Sequence, residues 1–220
     1  PREDTYIRPL AYKSAESIGV KLDLPASLSI FTTPMGNYVE LTGLRCCVSS
    51  WRRIPDNAMP ARAKLTGSYV NTALAVDAAH RAGYDEAIFL THDGFVSEAS
   101  AANIFLVRKG RLITPPVTAD ILEGITRDAV MELALEELGL ETEERDVART
   151  ELYAADEVFL TGTGFQIAPV VEIDDRPVGS GEVGPVASRL QELYFRAARG
   201  GWEKYAGWTV PVELKERTAR

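Results

Sequence analysis

Two β-hairpin patterns written back to back, between residues 86 and 114, constrain this fold more than any other feature. The run EAIFLT at residues 86–91 is apolar and β-prone, HDG follows at 92–94, and FVSE closes the pattern at 95–98. Asp-Gly between two such runs is a tight-turn signal. The arrangement recurs at once, with NIFLV at 103–107 and RLIT at 111–114 flanking Lys109-Gly110. Consecutive hairpins are incompatible with an orderly parallel βαβ sheet, so helices and antiparallel strands must coexist, and the class is α+β.

Helical periodicity marks three other segments. Residues 68–82 place Tyr69, Ala73, Val76 and His80 on one face, with Gly83 at the stop. Residues 126–138 align Val130, Leu133, Ala134 and Leu138, and Gly139 closes them. A last helix is expected over 188–198. Further strands are expected at 4–11, ending at a proline, and at 28–31, 43–50 and 156–161. Residues 33–37 read as a connector and 52–60 as a loop, from their Pro, Gly and Asn content.

At 220 residues and 45% hydrophobic, the chain can bury a sizeable core as one large domain with part of a second. Its net charge of −8, without a Lys/Arg stripe, argues against nucleic acid as a partner. No apolar run reaches membrane-spanning length and no signal-peptide pattern opens the chain, so a cytoplasmic location is expected. Cys46 and Cys47 are adjacent and have no other cysteine to pair with, which excludes a disulfide framework and a cysteine zinc site. His80 and His92 lack ligand spacing, and no metal is expected. The chain opens at Pro1 and its first methionine is Met35, so a front portion is expected to be processed away or not included.

Four features can converge on one heteroaromatic ring and one anion. Lys64, in the segment KLTGSY at 64–69, is a candidate Schiff-base amine, although a single lysine is more often a solvated surface charge. Glu98 ends the first hairpin before small residues and can face a protonated ring nitrogen; the bland alternative is an exposed hairpin charge. Gly124-Ile125-Thr126, with Thr126 at the helix cap, offers free N–H groups to a phosphate, or simply caps a helix. Thr161-Gly-Thr163-Gly164 can aim amides at an anion, or merely turn the chain. No GxGxxG or GxxxxGK[ST] motif supports a dinucleotide or P-loop reading. An imine lysine, a ring-nitrogen carboxylate and a phosphate cup are together what pyridoxal phosphate requires.

In these segments, and in YIRP at 6–9, ADEVF at 155–159 and Gly184-Pro185, the chain resembles the branched-chain amino-acid aminotransferases, fold-type IV pyridoxal-phosphate enzymes. The resemblance runs from Tyr6 to about Trp208. It implies a D-amino-acid aminotransferase-like fold: residues 1–35 as the tail of a smaller N-terminal domain, 36–41 as a connector, and 42–220 as the cofactor domain. It implies that Lys64 carries the cofactor and shuttles the proton, that Tyr69 binds the phenolic oxygen, and that Glu98 pairs with the ring nitrogen. Ile125, Thr126 and Thr163 would hold the phosphate, Thr163 and Gly164 the substrate carboxylate, and Tyr6 and Arg8 would line the substrate side. The implied reaction exchanges the amino group of Leu, Ile or Val with 2-oxoglutarate, in a homodimer or an assembly of dimers. Ser68 departs from the asparagine frequent in the lysine motif, and Ala99-Ser100 from a glycine-containing pair. Alternatives are a D-amino-acid aminotransferase, an aminodeoxychorismate lyase, or a non-catalytic remnant lacking the phosphate-binding arginine of the front domain.

Overall fold

The computed structural model describes residues 4–36, 39 and 41–212. It divides into two units, Pro1–Tyr38 and Val39–Arg220. In the first, β1 (Thr5–Lys13) and β2 (Ala26–Pro34) pair antiparallel, with Tyr6 opposite Thr33 and Arg8 opposite Phe31. Both strands exceed their expected lengths. Pro9 lies inside β1 opposite Ile30 rather than ending it, and β2 absorbs Thr33 and Pro34 from the expected connector. Each strand of a two-stranded ladder is an edge, where proline is tolerated. Residues 37, 38 and 40 of the expected 36–41 connector lie outside the described residues.

The second unit is built on one mixed sheet. Its strands are β3 (Leu44–Arg52), β4 (Glu86–Leu90), β5 (Val96–Ala99), β6 (Asn103–Arg108), β7 (Arg111–Thr114), β8 (Thr142–Glu144), β9 (Glu157–Gly162), β10 (Gln166–Ile173) and β11 (Arg176–Pro177). The ladder runs β5-β4-β3-β10-β9-β6-β7-β8, with β11 on β10. Both expected hairpins form, β4 with β5 and β6 with β7. Four strands separate β5 from β6 in the ladder, yet the Ala99 N–H donates to the Ala102 carbonyl at 2.8 Å. The sheet therefore curls until its β5 edge meets β6.

One face of the sheet buries Ile88, Leu90, Ile104, Leu106, Val158 and Leu160 in a common core. The other carries Phe105, stacked on Phe159 at 5.2 Å, against the two later helices. Those are α2 (Ile125–Leu138) and α3 (Pro185–Ala198). α2 buries Val130, Leu133 and Ala134 as its periodicity predicts, and Gly139 closes it at φ +64. The first helix, α1 (Tyr69–Arg81), differs from expectation: it buries Ala75 and Ala79 against Ala87 and Phe89 of β4, while Ala73 and His80 face solvent. The bulk of Phe89 selects the stripe with the smallest side chains, because only methyl groups let the helix approach the sheet. Cys46 and Cys47 are free thiols on β3; burial pushes Cys47 up to about 11.

α3 starts at Pro185, three residues before its expected start at 188. The cause lies on another strand. Glu157, buried on β9, accepts the Val186 and Ala187 N–H groups at 3.0 and 2.8 Å, so a distant carboxylate caps the helix and complements its dipole. Gly184 lies directly against that carboxyl group, where a Cβ would overlap it. Glu157 is pinned by two N–H donors and cannot swing away. Gly184→Ala should therefore cost about 1–3 kcal/mol in denaturant unfolding; an unchanged midpoint would show that the carboxylate is free to move.

Candidate active site

Lys64 ends the long excursion from β3 to α1. It is exposed, and a 3-10 turn over Thr66–Ser68 follows and runs straight into the helix that Tyr69 opens. The Ser68 hydroxyl donates to the Leu65 carbonyl at 2.7 Å, so the small residue at this position fastens the turn. Tyr69 is half-buried. One turn further on, the Thr72 hydroxyl donates to the Ser100 carbonyl at 3.0 Å and couples α1 to the turn behind Glu98.

Glu98 is not an exposed hairpin charge. It is 3% exposed, at the sheet edge that curls toward β6. Its Oε2 accepts the Asn103 side-chain N–H at 2.9 Å and the Leu122 backbone N–H at 3.2 Å. Its Oε1 forms an ion pair with Arg53. Burial pushes the Glu98 carboxyl up to about 7, against the opposing pull of Arg53, the Leu122 N–H, Lys64 and Arg127. The charge of Lys64 is thus among those that favour the ionised Glu98.

Asn103 joins the remaining pieces. Its amide also donates to the Leu122 carbonyl at 2.8 Å, which ties Glu98 to the segment leading into α2. Its side-chain oxygen occupies the space where Gly124 would carry a Cβ. Gly124, and not Thr126, is the helix cap: it is extended, at φ −78 and ψ 133, and no side chain caps the N-terminus. Thr126 is the second helical residue and is buried, whereas Ile125 is exposed. The first amides of α2 are accordingly left without a capping side chain, as an anion seat requires. Asn103 also lies opposite Thr161, so the turn holding Thr163 and Gly164 follows immediately on the same ladder. Gly162 passes within 3.2 Å of the Ala101 carbonyl, measured from where its Cβ would be.

Several residues that hold this arrangement are given no role by the sequence. Arg53 has no periodicity and falls within the expected loop at 52–60. Glu86, buried at the start of β4, accepts the Ser100 hydroxyl at 2.8 Å and its N–H at 3.3 Å; burial pushes its carboxyl up. Arg127 is buried, donating to the Pro115 carbonyl at 3.2 Å and to Glu144 at 2.5 Å. The lysine excursion is fastened to the segment before α2 by the Asp56 N–H on Asp120 at 2.9 Å and by an Arg62–Glu123 ion pair. Tyr6 and Arg8 lie in the other unit, where the Arg8 guanidinium sits 5.0 Å from the Tyr6 ring centre. Among the described residues no His, Cys, Asp and Glu group is placed to hold a metal, and no helix is long and apolar enough to cross a membrane.

The pH dependence of stability follows from Glu98. Its proton is held more tightly in the folded, cofactor-free protein than in the unfolded chain. Stability conferred by the neutral acid is therefore complete below pH 4.5 and is lost as pH rises toward 7. Glu98→Gln should abolish about 3 kcal/mol of that decline in denaturant titrations across the window. Parallel profiles for the two proteins would contradict it.

Residues 1–173 match the family described as Amino-transferase class IV. A probable branched-chain-amino-acid aminotransferase of Aquifex aeolicus is 51% identical over 213 residues, 96% of this chain and 68% of the relative. The branched-chain-amino-acid aminotransferase of Escherichia coli K12 is 41% identical over 215 residues, covering 94% and 69%. Among solved structures, the branched-chain aminotransferase of the archaeon Thermoproteus uzoniensis with norvaline superposes with a TM-score of 0.89 at 45% identity, covering 93% of this chain and 68% of that one. The Thermobaculum terrenum enzyme in its pyridoxal-phosphate form gives 0.90 at 42%, covering 96% and 69%. The family match over residues 1–173, the 51% identity to the Aquifex aeolicus relative and the superposition on solved enzymes place the chain among the fold-type IV branched-chain amino-acid aminotransferases.

Proposed function

We propose that this chain exchanges the amino group of branched-chain L-amino acids with 2-oxoglutarate, using pyridoxal phosphate. The observation that carries the reading is the gathering of Glu98, the α2 N-terminus and the Thr163-Gly164 turn around Asn103. These residues fit the cofactor. α2 begins without a capping side chain, and Gly124 and Gly162 admit close neighbours that a side chain would displace. The relatives that support the substrate class include a branched-chain amino acid aminotransferase complexed with N-(5'-phosphopyridoxyl)-L-glutamate.

Bound here, pyridoxal phosphate supplies an electron-withdrawing ring that makes the substrate Cα proton removable. Lys64 would hold the cofactor through its amine, and the same amine would serve as the base that moves the substrate Cα proton. Glu98 keeps the ring nitrogen protonated. Tyr69 donates to the phenolic oxygen. Amides of Ile125 and Thr126, with the Thr126 and Thr163 hydroxyls, bind the phosphate. Amides of Thr163 and Gly164 orient the substrate carboxylate. The chain acts as a homodimer or an assembly of dimers, in the cytoplasm.

The test is the visible spectrum of the chain with pyridoxal phosphate. L-leucine should bleach the cofactor band, and D-alanine should leave it unchanged; the reverse pattern would overturn the substrate assignment. Lys64→Ala should lower kcat by on the order of 10²–10⁴ while the protein stays folded.

A further inference from the structure

Consecutive arginines end β3 with opposite fates. Arg52 faces solvent, while Arg53 turns inward, its side chain 15% exposed. Several contacts hold Arg53. Its N–H donates to the Leu90 carbonyl at 2.9 Å and extends the β3–β4 ladder by one residue. Its guanidinium lies 5.6 Å from the Phe89 ring centre, and its Nε reaches the Asp120 carbonyl at 3.4 Å. The terminal nitrogen meets Glu98 Oε1. The cation is therefore oriented before any ligand arrives.

An ionised carboxylate offers about four acceptor positions. Asn103 and Leu122 fill both on Oε2, and Arg53 takes one on Oε1. One remains. A buried ion pair adds little net stability compared with well-packed apolar groups, so fold stability alone gives a weak reason for it. It does set charge. The groups facing Glu98 are Arg53 from the end of β3, Lys64 from the excursion, Arg127 from α2, and the neutral donors Asn103 and Leu122. Of these, Arg53 is the cation in direct contact.

We propose that Arg53 is a positioning residue for the ring-nitrogen carboxylate: its contact fixes Glu98 in place and favours its charged form against burial, leaving one acceptor position for a protonated ring nitrogen. The inference rests on the cofactor reading for its consequence, but the link from Arg53 to Glu98 exists without cofactor.

The experiment has two arms. In the first, the Glu98 carboxyl is titrated by carbon NMR in the cofactor-free protein, native and Arg53→Gln. Loss of the cation should weaken Glu98 acidity by roughly tenfold or more, and an unmoved midpoint overturns the proposal. Arg53→Lys keeps the charge and should shift acidity by less than about threefold, which leaves the test decisive if the glutamine variant does not fold. A lysine variant that shifts as far as tenfold would overturn it. In the second arm, the pH midpoint of the bound-cofactor band, kcat and the KM for L-leucine are measured in Arg53→Gln, Glu98→Gln and the double variant. Arg53→Gln should move the spectral midpoint and lower kcat with little change in KM, and should add nothing in the Glu98→Gln background. Additive losses would mean that Arg53 acts elsewhere and would overturn the proposal. A native protein that shows no cofactor band would overturn the cofactor reading, while the titration in the first arm would still decide the link from Arg53 to Glu98.

Discussion

The bond from Asn103 to Glu98 is the contact on which the rest of the site depends. One amide group, on the first residue of β6, spans the Glu98 carboxylate and the Leu122 carbonyl, while its oxygen fills the space beside Gly124. Glu98 belongs to β5, Leu122 and Gly124 belong to the entry into α2, and Thr161 faces Asn103 from β9. Three distinct features, a buried carboxylate, a helix start free of a capping side chain and a glycine turn, are thereby registered against a single side chain. Asn103 is 5% exposed, so its bonds compete little with water.

The curl of the sheet makes this contact available. Consecutive hairpins would ordinarily lie side by side, yet β5 and β6 are separated by four strands in the ladder and rejoin only through the turn at residues 99–102. That turn is clamped from both directions, by Glu86 on Ser100 and by Thr72 on the Ser100 carbonyl. A serine after Glu98, where the family resemblance suggested a glycine-containing pair, is thus a participant with two distinct partners. The lysine excursion, in turn, is held to the α2 entry by Asp56 and Arg62, so the segment carrying the amine and the start of α2 share one support.

Much of the fold was legible in the chain. The hairpins at 86–98 and 103–114, and α2 with its glycine stop, depend on turn chemistry and periodicity that act over a few residues. α1 was legible as a helix but not in its buried face, because the choice of Ala75 and Ala79 is made by Phe89 on a neighbouring strand. The start of α3 was misplaced because its cap, Glu157, is remote in sequence. Among site residues, Lys64, Glu98, Ile125, Thr126, Thr163 and Gly164 stood out through their motifs. Arg53 did not, since one arginine in a proline-containing loop carries no pattern.

The sequence by itself determined the elements and the chemical inventory: an amine, a carboxylate, a helix start free of a capping side chain and a glycine turn, each set by residue identity and local backbone preference. The tertiary structure decided the states of those groups. Whether Glu98 is a solvated charge or a buried acid balanced near neutrality depends on desolvation and on Arg53, Lys64 and Arg127, which come from distant segments. Electrostatic energy is governed by distance and surrounding polarity, and both are fixed only when the sheet closes on itself.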